Sequence, residues 1–278
     1  VRVTTLGTGS PLPDPARAGA ATLVEAGGQR LLVDCGRGVL MRLAATGSGP
    51  GQLTAVLLTH LHSDHVTDLN DVITTHWIGT FTPTPLHVVG PPGTQALVDG
   101  TLAMLGEDIG WRLAHHEDLT WRPVVEVTEV LDGPAFDSGG VRVLAAPTEH
   151  KPVHPTVGYR FEHDGATVVC AGDTLPCDGL DRLCAGADLY VQTVVRRSLV
   201  EAVPVARLHD ILDYHSDVEQ AAQTAARASV GTLVLTHLVP APAPGTEGEW
   251  VAEAGAHFGG EVVVAEDLAA FEVPRVAG

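Results

Sequence analysis

Apolar residues in this chain fall into short runs of strand length, each closed by Gly, Pro, Asp or His. Residues 1–6 are β-branched and apolar, and Gly7-Thr8-Gly9-Ser10-Pro11 breaks the run. Residues 21–26 and 30–34 read as a hairpin around Gly27-Gly28. The spacing then turns helical over 38–45, with Val39, Leu40 and Leu43 on one face. Residues 55–58 predict a buried strand that delivers Thr59-His60. Helices are expected over 68–77 and 94–105, with a strand at 86–89 between them. Further strands are expected at 124–130, 141–145, 157–161, 167–171 and 189–195. A capping box of Ser216 and Glu219 starts an Ala-rich helix to 228. A strand at 232–235, a helix at 250–257 and a strand at 261–265 complete the pattern.

Strands and hairpins followed by helices, twice over, predict an α/β fold: two mixed β-sheets packed together with helices outside, an αββα sandwich. At 278 residues the chain is read as one domain spanning 1–278.

Composition removes several classes. A hydrophobic share of 45% with 18% charged residues is that of a globular protein, which sets disorder aside. No apolar run reaches membrane-spanning length, and neither a membrane span nor a secretory leader is expected. The four cysteines form no C-x-x-C pair, which favours a reducing, cytoplasmic setting. Thirty-four acidic residues face 16 basic ones, so a wide nucleic-acid surface is disfavoured while a local cationic or metal-lined pocket is not.

Histidine changes the picture. Of 14, three fall within His60-Leu61-His62-Ser63-Asp64-His65, directly after an apolar strand. His60 and His62 share one side of an extended segment, and Asp64 and His65 lie where the chain turns. Burying these groups without metal or partners is costly. Further ligand types end other predicted strands: His150, Asp173 and His237. One workable partition gives His60, His62 and His150 to a first metal and Asp64, His65 and His237 to a second, with Asp173 bridging. Imidazole and carboxylate donors suit zinc, with manganese or iron as alternatives. Two metals would generate a hydroxide near neutral pH and point to hydrolysis. Asp34 either orients a ligand histidine or accepts backbone N–H bonds at its strand end. His215, beside a helix start, could bind an anion or protonate a leaving oxygen. Trp77, His76 and the loop 195–212 are candidate pocket walls, and Arg196, Arg197 and Arg207 candidate anion receivers.

These residues resemble the metallo-β-lactamase superfamily, in its ribonuclease Z and arylsulfatase-like branch. The likeness rests on His60-x-His62-x-Asp64-His65, His150, Gly172-Asp173-Thr174 and Leu235-Thr236-His237. Gly7-Thr8-Gly9-Ser10-Pro11, Leu31-Leu32-Val33-Asp34-Cys35-Gly36 and Tyr214-His215-Ser216 add to it. It is nearest to actinobacterial proteins labelled ribonuclease Z. The resemblance implies two zinc ions per chain on His60, His62, Asp64, His65, His150, Asp173 and His237. It also implies catalytic roles for Asp64, as proton acceptor, and His215, at the scissile phosphate or leaving group, and a homodimer.

The sequence departs from the transfer-RNA-processing members. Two strands and a turn fill the interval from His150 to Asp173, leaving no room for their protruding arm. Ser63 stands where Gly is more usual, and Val191-Gln192-Thr193-Val194 replaces a Glu-Ala-Thr-Phe-like stretch. The expectation is a dinuclear-metal phosphodiesterase acting through a metal-activated hydroxide on a small anionic ester, with transfer RNA less favoured as substrate. Arylsulfatase or lactonase activity is the alternative within enzymes, and a non-catalytic metal-binding protein the alternative outside them.

Overall fold

A computed structural model describes residues 1–274. The first six strands lie in one sheet in chain order: β1 (Arg2–Gly7), β2 (Ala21–Ala26), β3 (Gln29–Val33), β4 (Ala55–Leu57), β5 (Leu86–Gly90) and β6 (Val125–Glu129). The next seven form the second sheet, again in chain order: β7 (Gly133–Ser138), β8 (Val141–Pro147), β9 (Val157–His163), β10 (Ala166–Cys170), β11 (Leu189–Val195), β12 (Thr232–Val239) and β13 (Glu261–Val264). The last strand, β14 (Ala269–Glu272), returns to the first sheet and pairs antiparallel with β1. Both sheets mix parallel and antiparallel pairs, as the αββα sandwich requires.

Strands buried on both faces explain the unbroken apolar runs. In β3, Leu31 and Val33 face the space between the sheets, where they join Leu57, Tyr159, Phe161, Val168 and Val234. Leu32 faces the other way and packs under helices Val39–Ala45 and Leu69–Ile78 through Val39, Leu43, Val72 and Ile73. The second sheet repeats this: Tyr190, Leu233 and Leu235 meet Leu180, Ala221, Ala222 and the fully buried Trp250.

Several elements are absent from the sequence reading, one long helix and two strands among them. Helix Gly106–His115 follows the predicted 94–105 helix almost without a break. Strand β7 opens on Gly133-Pro134, residues that ordinarily punctuate strands, and forms because β8 pairs with it. Strand β14 is four residues long and depends on the distant β1. The capping box is also shifted by one residue. Asp217 is the N-cap of helix Val218–Arg227; its side chain accepts from Gln220 N–H, and Gln220 Oε1 accepts from Asp217 N–H. Ser216 instead donates its hydroxyl to the Thr174 carbonyl.

Among the described residues no helix is long and apolar enough to cross a membrane. The cysteines are free thiols: Cys35, Cys170 and Cys184 are buried and Cys177 is half-buried.

Candidate metal centre

The parallel strands β4, β10 and β12 end on one edge of the sandwich, and the ligand-type residues gather there. His60 and His62 follow β4, and Asp64 and His65 lie in the short helix Ser63–Val66. Asp173 follows β10. His150 sits three residues beyond β8, in a turn closed by Val153 N–H donating to its carbonyl. His237 lies inside β12, which runs on to Val239 and past the predicted end of that strand. Its position is a bulge: Thr193 pairs with Thr236 and Val195 with Val239, which leaves His237 and Leu238 opposite Val194. His237 takes φ 48°, a left-handed backbone rare for a non-glycine. Such bulges re-aim a side chain, and this one turns His237 toward the cluster.

All seven predicted residues come together, in two groups. One holds His60, His62, His150 and Asp173; the other holds Asp64, His65 and His237. Within each group the ligand-type atoms lie within 4.8 Å of one another. Asp173 Oδ2 stands between the groups, 3.9 Å from His60 Nε2, 3.8 Å from His150 Nε2, 3.4 Å from His65 Nε2 and 3.7 Å from His237 Nε2. His215, the eighth candidate, has its Nε2 3.2 Å from the same oxygen.

The far sides of the rings are tied down. His65 Nδ1 bonds Asp34 Oδ2 at 2.8 Å, and His150 Nδ1 donates to the Tyr214 carbonyl at 2.8 Å. His215 Nδ1 donates to the Ile211 carbonyl at 2.9 Å. Asp34 does both things foreseen for it, because it also accepts Thr59 N–H at 2.8 Å. Its own φ of 57° places it in the left-handed region, which the surrounding bonds must hold.

A metal fits this donor set. His60 Nε2 and His62 Nδ1 approach to 3.1 Å, and His62 Nδ1 and His150 Nε2 to 3.4 Å, so lone pairs converge. His65 Nε2 and Asp173 Oδ1 are buried without a hydrogen-bond partner. Left unpaired, such atoms cost the desolvation of each group. Imidazoles and carboxylates are donors that suit a divalent cation.

Protonation differs across the centre. Burial, with the neighbouring His65 charge, pushes His60 well below the usual histidine range, and burial lowers His62. His150 is pushed down to about 4, again by burial. His65 goes the other way: burial opposes it, but the Asp173 and Asp34 carboxylates raise it well above the usual range. His215 is also raised, its bond to Asp173 overcoming burial. Asp173 is held well below the carboxylate range by His237 and His65 despite complete burial.

The centre opens into a cavity of about 480 Å³ lined by His62, Lys151, Arg207, Asp210, Asp213 and Tyr214. Arg207 is therefore a pocket residue. Arg196 and Arg197 are not available as anion receivers: Arg196 pairs with Glu249 and Glu253, and Arg197 with Asp217 and Glu201. His76 and Trp77 are buried and leave the pocket wall. His76 binds the Pro50 carbonyl, and Trp77 donates to the Trp121 carbonyl. Lys151 and Tyr214 line the wall instead. The short helices Arg197–Glu201 and Ala206–His209 shape the loop that carries Arg207.

The profile of the beta-lactamase superfamily domain matches residues 29–238. The chain belongs to this superfamily. It is 57% identical over 278 residues to a ribonuclease Z of Mycobacterium bovis, covering 99% of both chains. It is 59% identical over 270 residues to a ribonuclease Z of Mycolicibacterium paratuberculosis, covering 96% of both. Among solved structures it resembles human tRNase Z, short form, at 25% identity and a TM-score of 0.72, over 99% of this chain and 100% of that one. As a superfamily member with this donor set, the chain is a metal-dependent hydrolase of the ribonuclease Z kind.

Proposed function

We propose that the chain hydrolyses phosphodiester bonds of RNA at this centre. The observation that carries the reading is Asp173: one buried carboxylate stands between two groups of ligand-type atoms and also holds His215. His60, His62 and His150 would hold a first ion, Asp64, His65 and His237 a second, and Asp173 would serve both. When bound, such ions supply Lewis-acid activation of water and charge stabilisation at the phosphoryl oxygens. The chain's own residues do the rest. Asp64, lowered by its His237 hydrogen bond although burial opposes the shift, stays a carboxylate that can accept a proton. His215, raised by Asp173, keeps a proton on Nε2 to give to a leaving oxygen. The bonds from His65 to Asp34 and from His150 to Tyr214 fix the ring orientations in advance.

The RNA assignment rests on the ribonuclease Z relatives. A small anionic ester is the second reading, because the acidic rim of Asp210 and Asp213 and the chain's net charge of −18 repel a polyanion more strongly than a single charge. Under either reading the protein holds two zinc ions, acts as a homodimer and works in the cytoplasm, each by its likeness to that family. Side-by-side turnover of a precursor transfer RNA, bis-p-nitrophenyl phosphate and an aryl sulfate under one metal condition tests the proposal. Cleavage of both phosphodiesters supports it. Turnover of the aryl sulfate alone would overturn it.

A further inference from the structure

The bulge that aims His237 frees the next backbone amide from the ladder. Leu238 N–H turns out of the sheet and donates to the Thr8 carbonyl at 3.1 Å. Thr8 is fully buried, in the break after β1, where a Cβ on Gly7 would lie 1.8 Å from the Gly19 carbonyl oxygen. Thr8 is therefore held between the Gly19 backbone of its own loop and the Leu238 backbone of β12. Thr8 N–H and its hydroxyl both donate to Asp267 Oδ1, at 3.0 and 2.8 Å. The other carboxylate oxygen, Oδ2, accepts Ala18 N–H at 2.7 Å and Arg42 Nε–H at 2.8 Å. Arg17 donates to Thr8 Oγ1 and to the Ala265 carbonyl, closing the net. The Asp267 side chain is 7% exposed. It gathers three segments that are remote in sequence and belongs to no ligand group.

The geometry points to Asp267 as a positioning residue for the metal centre. Through Thr8 it fixes the backbone at Leu238, and with it the left-handed conformation that turns His237 toward Asp64 and His65. A left-handed non-glycine persists only where its surroundings over-determine it, and the bond from Leu238 to Thr8 is the constraint next to His237. Partners outside the ligand set typically tune metal affinity by about 10–100-fold. The inference rests on the reading of His237 as a ligand.

The two oxygens of Asp267 allow a clean test. Oδ1 serves Thr8 and the path to His237; Oδ2 serves Ala18 and Arg42. Zinc affinity is measured on folded, metal-stripped protein by competition with a chromophoric chelator, and unfolding midpoints are measured alongside. Asp267→Asn is expected to weaken zinc binding about tenfold or more at the weaker step. Thr8→Val, which removes the hydroxyl's bond to Asp267 and the bond it accepts from Arg17 but keeps the Thr8 N–H bond to Asp267, should shift it in the same direction and less. Arg42→Gln should lower the unfolding midpoint and leave zinc affinity unchanged. Equal loss of midpoint in all three with wild-type zinc affinity would overturn the inference, because a purely structural clamp behaves that way. His237→Ala separates the two ideas. If it loses zinc while Asp267→Asn and Thr8→Val do not, only the positioning role fails; if it keeps all its zinc, the ligand reading fails as well. Where Asp267→Asn does not fold, Thr8→Val decides by the same readout.

Discussion

In the group of His60, His62 and His150, burial drives the imidazoles toward their neutral form, whereas in the group of Asp64, His65 and His237 two carboxylates hold His65 protonated. The groups share Asp173 and lie on the same sandwich edge, yet they present a cation with different work to do. The first offers lone pairs at neutral pH. The second must give up the proton on His65 Nε2, which faces Asp173 Oδ2 at 3.4 Å, before that nitrogen can offer a lone pair. Two contacts make the difference: Asp173 Oδ2 lies nearer His65 Nε2 (3.4 Å) than His150 Nε2 (3.8 Å), and Asp34 bonds His65 Nδ1 while the Tyr214 carbonyl, which carries no net charge, bonds His150 Nδ1.

Asp173→Ala is the most severe test, since it removes the oxygen standing between the groups. It is expected to lower kcat by at least about 10³-fold and to reduce bound metal in both groups, read by elemental analysis beside turnover. His215→Ala should lower kcat by roughly 10²–10⁴-fold while metal content stays at the wild-type level. Loss of metal from that variant would make His215 a ligand and redraw the grouping.

Asp34→Asn bears directly on the asymmetry. It should weaken zinc binding to the group of His65 by about 10–100-fold and leave the group of His150 intact. In the native sequence, binding to the second group should release a proton and strengthen about tenfold per pH unit below the raised pKa of His65. Binding to the first group should be flat above about pH 6.5. Calorimetry in two buffers of different ionisation heat separates these cases, and equal proton release from both groups would remove the distinction.

Acid stability of the metal-free protein gives a smaller effect. His150 has a lowered pKa in the folded chain, so between its unfolded value and about 4 the unfolded chain binds more protons. Stability should therefore fall as pH drops through that window, by on the order of 3 kcal/mol from this residue. His65 has the opposite sign. Its contribution is complete below the unfolded histidine pKa and is lost as pH rises through its raised value. Urea unfolding at several pH values reads both slopes. The smallest effect belongs to Arg196→Gln, which breaks partly exposed pairs outside the pocket; KM should stay within about twofold and stability within about 1 kcal/mol.

Much of this centre was legible in the sequence because its chemistry is locally dense. His60, His62, Asp64 and His65 follow a buried strand within six positions, and that proximity needs no tertiary information. His150, Asp173 and His237 could be read from their places at or near strand ends. What the pattern could not show is which partner a side chain finds across the fold. Arg196 and Arg197 looked free and are bound to carboxylates, two of them on the helix Glu247–Gly255. His76 and Trp77 lie on a helix whose periodicity marks an apolar face without saying what covers it, and that face is turned into the protein. Strands β7 and β14 carry weak signals of their own and form because a neighbour offers a hydrogen-bonding edge.

The sequence by itself determined the two-sheet architecture, the superfamily likeness and the identity of the residues that meet at the centre. Periodicity, turn chemistry and ligand spacing are local properties, and each acts over a few residues. The tertiary structure decided the opposite protonation of His65 and His150 and the bulge at His237 tied through Thr8 to Asp267. Those depend on burial and on distances of about 3 Å between residues as far apart as Asp64 and His237, which only the folded chain sets.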